Sequence, residues 1–397
     1  MKILLLSAYD ADSHKRWREG LVRHCDEHEW TCLSLPPRYF NWRMRGNSLS
    51  WAFSERAILT AQYDLLVVTS MVDLSALRGF IPPLGRVPTL VYFHENQFDY
   101  PCSKHQNNTL EPQILSLYSA LCADQLVFNS HYNKCTFLSG VQALLKKLPD
   151  HVPEGIVEQL SERSRVLAVP LEANCFQVSL ASSDFPDIDL DVDSLVSCPD
   201  RLILIWNHRW EYDKGPERLL QLVLILIKRG FKFRLHVVGQ QFRQQPVEFD
   251  QIKQHLQAAG CLGQWGYIKS GEAYRQLLCA SHAVLSTALH DFQGLAVLEA
   301  VAAGCLPLVP CRQAYPEWFS AENCYASFID DIEREAMVLA DVVCSLSLAE
   351  LVLEARSQTS GAVNHYLLKD LSWSALKNDY QRLLLECGSV SVGFDWF

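Results

Sequence analysis

Short apolar runs recur along the whole chain, and longer mixed segments separate them. Runs of about strand length lie at residues 3–7, 65–69, 89–93, 125–129, 165–169, 202–206, 233–239, 265–268, 282–287 and 306–309. Several are apolar at nearly every position, which is typical of strands that are buried on both faces of a parallel sheet. Helices are predicted at residues 271–279, 295–303 and 363–386. The pattern predicts an α/β fold.

Length and composition indicate two domains. The 397 residues are too many for one ordinary core, and residues 172–200 are acidic, contain proline and serine, and lack a helical period. We predict a first domain at residues 1–175, a linker at 176–200 and a second domain at 201–375. The formal net charge of −10 argues against a general nucleic-acid binder.

Cysteine usage and the absence of long apolar runs indicate the cellular compartment in which the protein is expected. The 14 cysteines form no CxxC pair and no metal-ligand spacing, which is typical of a reduced protein. The chain shows neither a signal peptide nor an apolar run long enough to span a membrane. We therefore expect a cytoplasmic protein that does not bind a membrane.

The stretch at residues 281–310 is the most informative part of the chain and is predicted to be strand, polar loop, helix and strand. Asp291 lies in the loop, and Glu299 lies about one turn into the helix. Between them, the N–H groups near Gly294, Leu295 and Ala296 would point out of the helix N-terminus, where anions bind well. This combination suits a nucleotide diphosphate sugar. Alternatively, Asp291 is only a helix N-cap and Glu299 only a solvated helix residue.

Two further strand ends carry candidate functional side chains. Arg209 and Lys214 follow the strand at 202–206, at the same sheet edge as the acidic loop, where two cations would neutralise a diphosphate leaving group. His94 directly follows the strand at 89–93 and stands close to Asn96 and Gln97. Ligands of α/β sheets bind beyond the carboxyl ends of the strands, so we predict a functional role for His94, although a lone histidine is more often structural.

Two segments of the first half carry candidate acceptor-binding residues. Ser13 is predicted to cap a helix whose first turn contains His14 and Lys15, and these side chains either face a ligand or form a solvated turn. The predicted loop at residues 35–46 interleaves arginines with aromatic residues, as single-stranded RNA requires, or is a surface loop packed by its own aromatics. Its candidate RNA contacts are Arg38, Trp42, Arg43 and Arg45.

The second half of the chain resembles the retaining GT-B glycosyltransferases of family 4. The resemblance rests on NHRWEYDKGP at residues 207–216 and HDFQGLAVLEAVAAG at residues 290–304, in that order. It implies two Rossmann-like domains facing across a cleft, with residues 376–397 packing back on the first domain. In that family, the first acid of an E-x7-E segment meets the transferred sugar and the second meets the nucleotide ribose. These roles would fall to Asp291, where the family usually has glutamate, and to Glu299.

The first half resembles a narrower family, the tRNA-queuosine α-mannosyltransferases, in the segments SHKRW, NWRMR and YFHENQFDYP. That family transfers mannose from GDP-mannose to the queuosine base of tRNA(Asp). The resemblance implies a tRNA acceptor. The residues it places at the acceptor are Ser13, His14, Lys15, Asn96, Gln97 and the arginine/aromatic segment.

The implied chemistry is a retaining transfer without a protein nucleophile, because the departing diphosphate can take the acceptor proton. Arg209 and Lys214 would neutralise the diphosphate, and His94 would bond the sugar or the acceptor near the reacting carbon. Gly294 and Leu295 would contribute the helix N-terminus. No metal or cofactor is expected. Two alternatives remain: a family-4 enzyme with a glycan, lipid or small-molecule acceptor, and a non-catalytic nucleotide-sugar binder.

Overall fold

The computed structural model describes residues 1–99, 110–148, 150–176, 200–346 and 368–389. The chain divides into two compact units: unit 1 comprises residues 1–170 and 373–397, and unit 2 comprises residues 171–372. Within the described ranges, each unit contains one six-stranded sheet whose neighbouring strands are all parallel. The predicted linker at 176–200 falls almost entirely outside the described residues.

Unit 1 is built on a sheet with the strand order β2-β1-β3-β4-β5-β6. Its strands are β1 (Lys2–Ser7), β2 (Glu29–Ser34), β3 (Leu65–Thr69), β4 (Thr89–Phe93), β5 (Gln125–Phe128) and β6 (Ser164–Val166). Its helices include α1 (Asp12–His24), α2 (Phe40–Ser54), α3 (Arg56–Leu59), α4 (Leu74–Phe80), α5 (Glu111–Leu121), α6 (His131–Lys147) and α7 (Ile156–Glu162), with a 3₁₀ helix at Pro82–Arg86. Every residue of β3 and β4 is buried, because helices cover both faces of the sheet.

Unit 2 is built on a sheet with the strand order β12-β11-β10-β7-β8-β9. Its strands are β7 (Leu202–Trp206), β8 (Phe233–Val238), β9 (Leu262–Gly266), β10 (Ala283–Leu285), β11 (Leu306–Pro310) and β12 (Cys324–Tyr325). Its helices include α8 (Pro216–Lys228), α9 (Glu248–Ala258), α10 (Gly271–Cys279), α11 (Leu295–Ala302), α12 (Tyr315–Trp318) and α13 (Ile332–Ser345), with 3₁₀ helices at Ala173–Phe176, Tyr212–Lys214 and Ala321–Asn323. Pro216 starts α8, where its missing N–H would have no helical partner in any case.

The C-terminal helix α14 (Trp373–Gly388) belongs to unit 1, which confirms that the last described helix crosses back to the first domain. Tyr380 accepts a hydrogen bond from Trp17 Nε1 at 3.1 Å and donates one to Ala168 O at 2.9 Å. A Cβ on Gly20 would come within 2.4 Å of the Trp373 ring, so α14 can dock on α1 only because residue 20 has no side chain. The part of the predicted helix before residue 368 lies outside the described residues.

Two local predictions in unit 1 are wrong. Residues 40–46 do not belong to a loop, because α2 begins at Phe40 and buries Met44 and Trp51 in the core. The aromatic and arginine residues there are compatible with a helix, and burial of one face decides the outcome. Ser13 does not cap α1: Ala11 takes the N-cap position with an extended backbone, and Ser13 lies inside the helix.

Other differences concern the ends of strands. β6 ends at Val166 rather than at residue 169, and the carbonyls of Leu167 and Ala168 instead accept hydrogen bonds from the hydroxyls of Tyr92 and Tyr380. β9 lies at Leu262–Gly266 rather than at 265–268. β2 and β12 were not predicted, since both are edge strands with few fully buried positions.

Candidate functional site

The candidate donor site in unit 2 is formed by the loops that follow two neighbouring strands, β7 and β10. Asp213 O accepts hydrogen bonds from the N–H groups of Leu289 at 2.8 Å and His290 at 3.2 Å, so the two loops are bound together through their backbones. A Cβ on Gly215, which has φ 65°, would lie 2.1 Å from Thr287 O. Glycine is therefore required there for both the left-handed backbone and the close approach of the loops.

The predicted cations of this site share one carboxylate. Lys214 Nζ donates to His290 O at 2.6 Å and lies 3.1 Å from Asp213 Oδ2 and 3.5 Å from Asp291 Oδ1. Arg209 Nη2 lies 3.8 Å from the same Asp213 oxygen. Lys214 is only 7% exposed, whereas the side chain of Arg209 is 41% exposed and also pairs with a neighbouring carboxylate, Glu211, at 3.0 Å. The structure thus brings Arg209, Lys214 and Asp291 together around Asp213, which we had not predicted as a site residue.

The electrostatics of this network keep its members charged. Burial alone would lower the pKa of Lys214, but Asp213 and Asp291 outweigh burial and raise it. Burial is the largest single influence and would raise the pKa of both aspartates, but their neighbours, Lys214 first among them, together outweigh it and lower both values. The nearby His208 is neutral at pH 7, because burial lowers its pKa to about 4. Lys214, Asp213 and Asp291 therefore form a buried ionic cluster.

Asp291 is held by side chains from the segment that follows β11. The hydroxyl of Tyr315 donates to Asp291 Oδ2 at 2.9 Å. The side-chain oxygen of Gln313 accepts from Asp291 N–H, and its side-chain nitrogen donates to Leu289 O. Asp291 is not the N-cap of α11, because Gly294 takes that position with φ 76°. The interpretation of Asp291 as only a helix cap is wrong.

The first turn of α11 lies against the end of β7. Asn207 Nδ2 donates to Ala296 O at 2.7 Å, which places the loop after β7 beside the helix N-terminus at Gly294 and Leu295. Glu299 is buried, with 7% of its surface exposed, so it is not a merely solvated helix residue. The contacts that Gly294, Leu295 and Glu299 make with a ligand stay predictions.

Unit 1 carries a buried pair of histidines at the carboxyl end of β4. The His94 ring centroid lies 4.1 Å from that of His14, 4.7 Å from that of Tyr92 and 5.0 Å from that of Trp17. Among the described residues, neither ring nitrogen of His94 has a hydrogen-bond partner. Burial and then the neighbouring His14 lower the pKa of His94 well below its ordinary value. His94 is therefore a neutral side chain that can both donate and accept a hydrogen bond.

The segment after His94 is fixed by a ladder of buried amides. Asn129 Nδ2 donates to His94 O at 2.9 Å, and Asn133 Nδ2 donates to Phe93 O at 2.9 Å. Asn96 is only 1% exposed. Its Nδ2 donates to Asn133 Oδ1 at 2.9 Å, and its Oδ1 accepts at 2.9 Å from the backbone N–H two residues further along the chain. The amide of Asn96 is thus engaged inside unit 1, whereas Gln97 is half-buried.

The start of α2 presents aromatic and basic side chains to solvent. Tyr39 and Trp42 are 72% and 52% exposed, and the Arg38 guanidinium lies 5.8 Å from the Tyr39 ring centroid. Arg43 Nε donates to a backbone carbonyl at 3.3 Å. Arg45 forms ion pairs with Asp73 at 3.0 Å and Glu111 at 3.1 Å, so its charge is already balanced. On α1, Lys15 is exposed beside Glu19, and Ser13 is half-buried.

The described ranges contain neither a metal-ion site nor a membrane-spanning helix. No group of three or more histidine, cysteine, aspartate or glutamate side chains in these ranges is arranged to hold a metal ion. No described helix is both long enough and apolar enough to cross a membrane. The expectation of a metal-free reaction stays a prediction.

Comparisons with known proteins agree with both halves of the chain. Residues 2–171 match the family model for the tRNA-queuosine alpha-mannosyltransferase N-terminal region, and residues 187–336 match glycosyl transferases group 1. A Drosophila melanogaster protein named tRNA-queuosine alpha-mannosyltransferase is 31% identical over 323 residues, which cover 81% of this chain and 83% of the relative.

Solved structures share the fold at low sequence identity. Anabaena HepE in complex with UDP and glucose superposes with a TM-score of 0.66 at 12% identity, covering 97% of this chain and 100% of the other. Sucrose-phosphate synthase from Thermosynechococcus elongatus superposes with a TM-score of 0.68 at 12% identity, covering 97% and 98%. These similarities confirm the two-domain GT-B fold. The family match and the Drosophila relative show more: the chain is a glycosyltransferase and belongs to the family of tRNA-queuosine α-mannosyltransferases.

Proposed function

We propose that this chain transfers mannose from GDP-mannose to the queuosine base of tRNA(Asp), with retention of the sugar's configuration. The name of the Drosophila relative supports the acceptor and the sugar. The observation that carries the donor half is the ionic cluster in unit 2, where Lys214 and Arg209 meet at Asp213 beside the N-terminus of α11. Preorganised cations and a helix N-terminus are what a departing diphosphate needs.

The donor would bind unit 2 by replacing Glu211, the exposed partner of Arg209, and would leave the ionic cluster in place. The cations Arg209 and Lys214 are balanced by the carboxylates of Glu211, Asp213 and Asp291 before any substrate binds. Arg209 is half-exposed, so its side chain could turn from Glu211 towards the diphosphate. Lys214 is buried and stays in place, so it supplies fixed charge. Asp291 would then hold hydroxyls of mannose.

The nucleoside end of the donor would lie along α11. Glu299 is buried in this helix, and a carboxylate there suits the two hydroxyls of a ribose. The N–H groups after Gly294 would face the diphosphate, because the first turn of a helix leaves donors without intrahelical partners. This arrangement supplies positive charge without a metal ion.

The acceptor would bind unit 1. Neutral His94 can bond a hydroxyl of mannose or of queuosine, and His14 presents a ring nitrogen from the adjacent helix turn. Exposed Trp42 offers a stacking surface for a base of the anticodon loop, and Arg38 and Arg43 offer charge for its phosphates. Ser13 and Lys15 on α1 and Gln97 after β4 are further contacts. Asn96 would act indirectly, by fixing the segment that carries His94.

The transfer would proceed on one face of the sugar. The C–O bond to the diphosphate breaks, the acceptor hydroxyl oxygen forms the new bond, and its proton passes to a diphosphate oxygen. The protein holds geometry and stabilises the negative charge that develops on the leaving group.

The test is incubation of the full chain with GDP-mannose and queuosine-containing tRNA, followed by digestion and mass measurement of the nucleosides. We expect queuosine alone to gain the mass of one hexose. The same tRNA without queuosine is the matched control, and UDP-glucose replaces GDP-mannose in a third arm. Transfer to the control tRNA, or no transfer to either tRNA, would overturn the acceptor assignment. Equal use of UDP-glucose would overturn the donor assignment.

A second candidate is transfer to a small molecule or glycan. The net charge of −10 favours it, as does the pairing of Arg45 with Asp73 and Glu111, because both reduce attraction for RNA phosphates. Free queuosine nucleoside separates the two candidates. Transfer to the nucleoside as fast as to tRNA would favour the second candidate.

A further inference from the structure

The segment after β11 holds the loop that carries Asp291 at several points. Arg312 Nε donates to Ala288 O at 2.9 Å, and Tyr315 donates to the Asp291 carboxylate at 2.9 Å. Between these two contacts, Gln313 reaches the tip of the loop with both ends of its amide. Its oxygen accepts from Asp291 N–H, and its nitrogen donates to Leu289 O.

The backbone of Gln313 is strained, which makes the identity of its side chain informative. Its φ is 58°, in the left-handed region that glycine adopts at no steric cost. A non-glycine residue persists there only when its surroundings hold it, and such residues concentrate at functional sites. The two amide contacts with the Asp291 loop supply the restraint, since a glycine could make neither.

The contacts of Gln313 lead directly to the ionic cluster. The backbone groups that it holds flank His290, whose carbonyl accepts the 2.6 Å hydrogen bond from Lys214 Nζ. The same peptide orients the Asp291 side chain towards Lys214 and Tyr315. A rotation of this peptide would therefore move the Lys214 acceptor and the Asp291 carboxylate together.

We infer that Gln313 is a positioning residue for glycosyl transfer: its amide fixes the peptide from Leu289 to Asp291 and so sets where the Asp291 carboxylate meets the sugar. This inference rests on the proposed role of Asp291 in holding the transferred sugar. Gln313 acts on the tip of the loop only. The base of the loop is anchored separately by Arg312, which also pairs with the buried Glu335 at 2.8 Å.

The first experiment compares Gln313→Gly with the wild type. The substitution removes both amide contacts and relieves the backbone strain, so the fold is retained. We expect kcat to fall about tenfold to a hundredfold, the scale of a small displacement at a reacting centre, while the affinity for GDP changes less than about threefold. Gln313→Glu is the near-isosteric control, because it can accept from Asp291 N–H but cannot donate to Leu289 O. Its kcat should fall as well. A Gln313→Gly enzyme with kcat within about twofold of the wild type would overturn the inference.

A double-mutant cycle then separates positioning from general loosening. If Gln313 acts through the carboxylate, Asp291→Asn combined with Gln313→Gly should lose little more activity than Asp291→Asn alone. Multiplicative losses would show that the two residues act independently and would overturn the inference.

Hydrogen exchange provides a readout that does not depend on activity. The amide of Asp291 should exchange faster in Gln313→Gly than in the wild type, whereas amides of β10 should be unchanged. If exchange is faster in Gln313→Gly but the wild type transfers no mannose, the Gln313 amide still restrains the loop, and the proposed function is rejected instead. Unchanged exchange would show that Gln313 does not restrain the loop and would overturn the inference itself.

Discussion

Replacing Lys214 with methionine removes the charge at the centre of the unit 2 cluster and keeps most of the length of the side chain. The substitution leaves the carboxylates of Asp213 and Asp291 buried on either side of an apolar group, where each had been within 3.5 Å of the ammonium. We expect two separable losses: stability, because buried charge becomes unpaired, and rate, because the leaving diphosphate loses a fixed cation.

The structure sets the size of each loss. Removing one partner of a buried ion pair costs about 3–5 kcal/mol. An aspartate can escape this cost by binding a proton, and protonation at pH 7 of a carboxyl with an ordinary pKa of 3.8 costs about 4 kcal/mol. The loss of stability at pH 7 is therefore limited to about 4 kcal/mol for each of the two aspartates. The loss of one preorganised charge contact lowers kcat by roughly 10² to 10³.

The pH dependence of the stability loss identifies its cause. In the wild type the folded pKa of Asp213 lies below its unfolded value, so its stabilisation is present at pH 7 and is lost only as the pH falls through that folded value. In Lys214→Met we expect burial of Asp213 to outweigh its remaining neighbours, so that the aspartate takes up a proton on folding. Its folded pKa would then lie above the unfolded one, and stability would fall as the pH rises. The difference between the two proteins should shrink by about 1.4 kcal/mol per pH unit from pH 7 to pH 5.

Urea unfolding followed by tryptophan fluorescence, to which the buried Trp206 and Trp210 of unit 2 contribute, measures the first loss. The nucleoside mass assay measures the second. Lys228→Met, at the exposed end of α8, is the matched control and should change stability by less than about 0.5 kcal/mol. Asp213→Asn added to Lys214→Met should restore most of the stability and none of the rate. A double variant that regains wild-type rate, or a stability loss that does not change with pH, would refute the assignment of Lys214.

Three further substitutions test other parts of the proposal. Glu299→Gln should weaken GDP binding about tenfold in calorimetry with a smaller change in kcat, and unchanged affinity would count against a ribose contact. Gly215→Ala places a methyl group 2.1 Å from Thr287 O, so it should lower the unfolding midpoint and the activity together; a stable, active variant would contradict the close approach of the two loops. Arg38→Ala combined with Arg43→Ala should weaken tRNA binding and reduce the slope of log K against log salt concentration by about two. An unchanged slope would indicate that the start of α2 does not contact tRNA phosphates.

The sequence predicted the fold well where local pattern and burial agree. The continuous apolar runs at residues 65–69, 89–93 and 202–206 coincide with β3, β4 and β7, because strands covered on both faces need apolar residues at every position. α10 at Gly271–Cys279 also matches its prediction, since Ser270 supplies the N-cap hydrogen bond. α2 was missed because its arginine and aromatic residues suggested a binding loop, whereas its buried face decides the structure.

The candidate site could be predicted only in part, for a similar reason. Arg209, Lys214 and Asp291 stand in motifs that resemble a known family, and strand order brings them to one sheet edge. Gln313 and Tyr315 lie more than twenty residues from Asp291 and reach it only because β11 pairs beside β10. Asp213 could have been recognised, since a carboxylate adjacent to a predicted phosphate-binding lysine needs an explanation.

Asp213 explains how unit 2 can keep a buried lysine charged before any substrate is present. Burial penalises an unpaired ammonium, so Lys214 without a partner would release its proton and could not stabilise a diphosphate. The two aspartates hold the proton on Lys214, and Arg209 remains at the surface with carboxylate partners that it can exchange. On the proposed function, a diphosphate would replace the exposed partner of Arg209 and leave the buried cluster undisturbed. The carboxylates that reduce the net positive charge of this site would thus also be the reason that its cations are in place when the proposed leaving group departs.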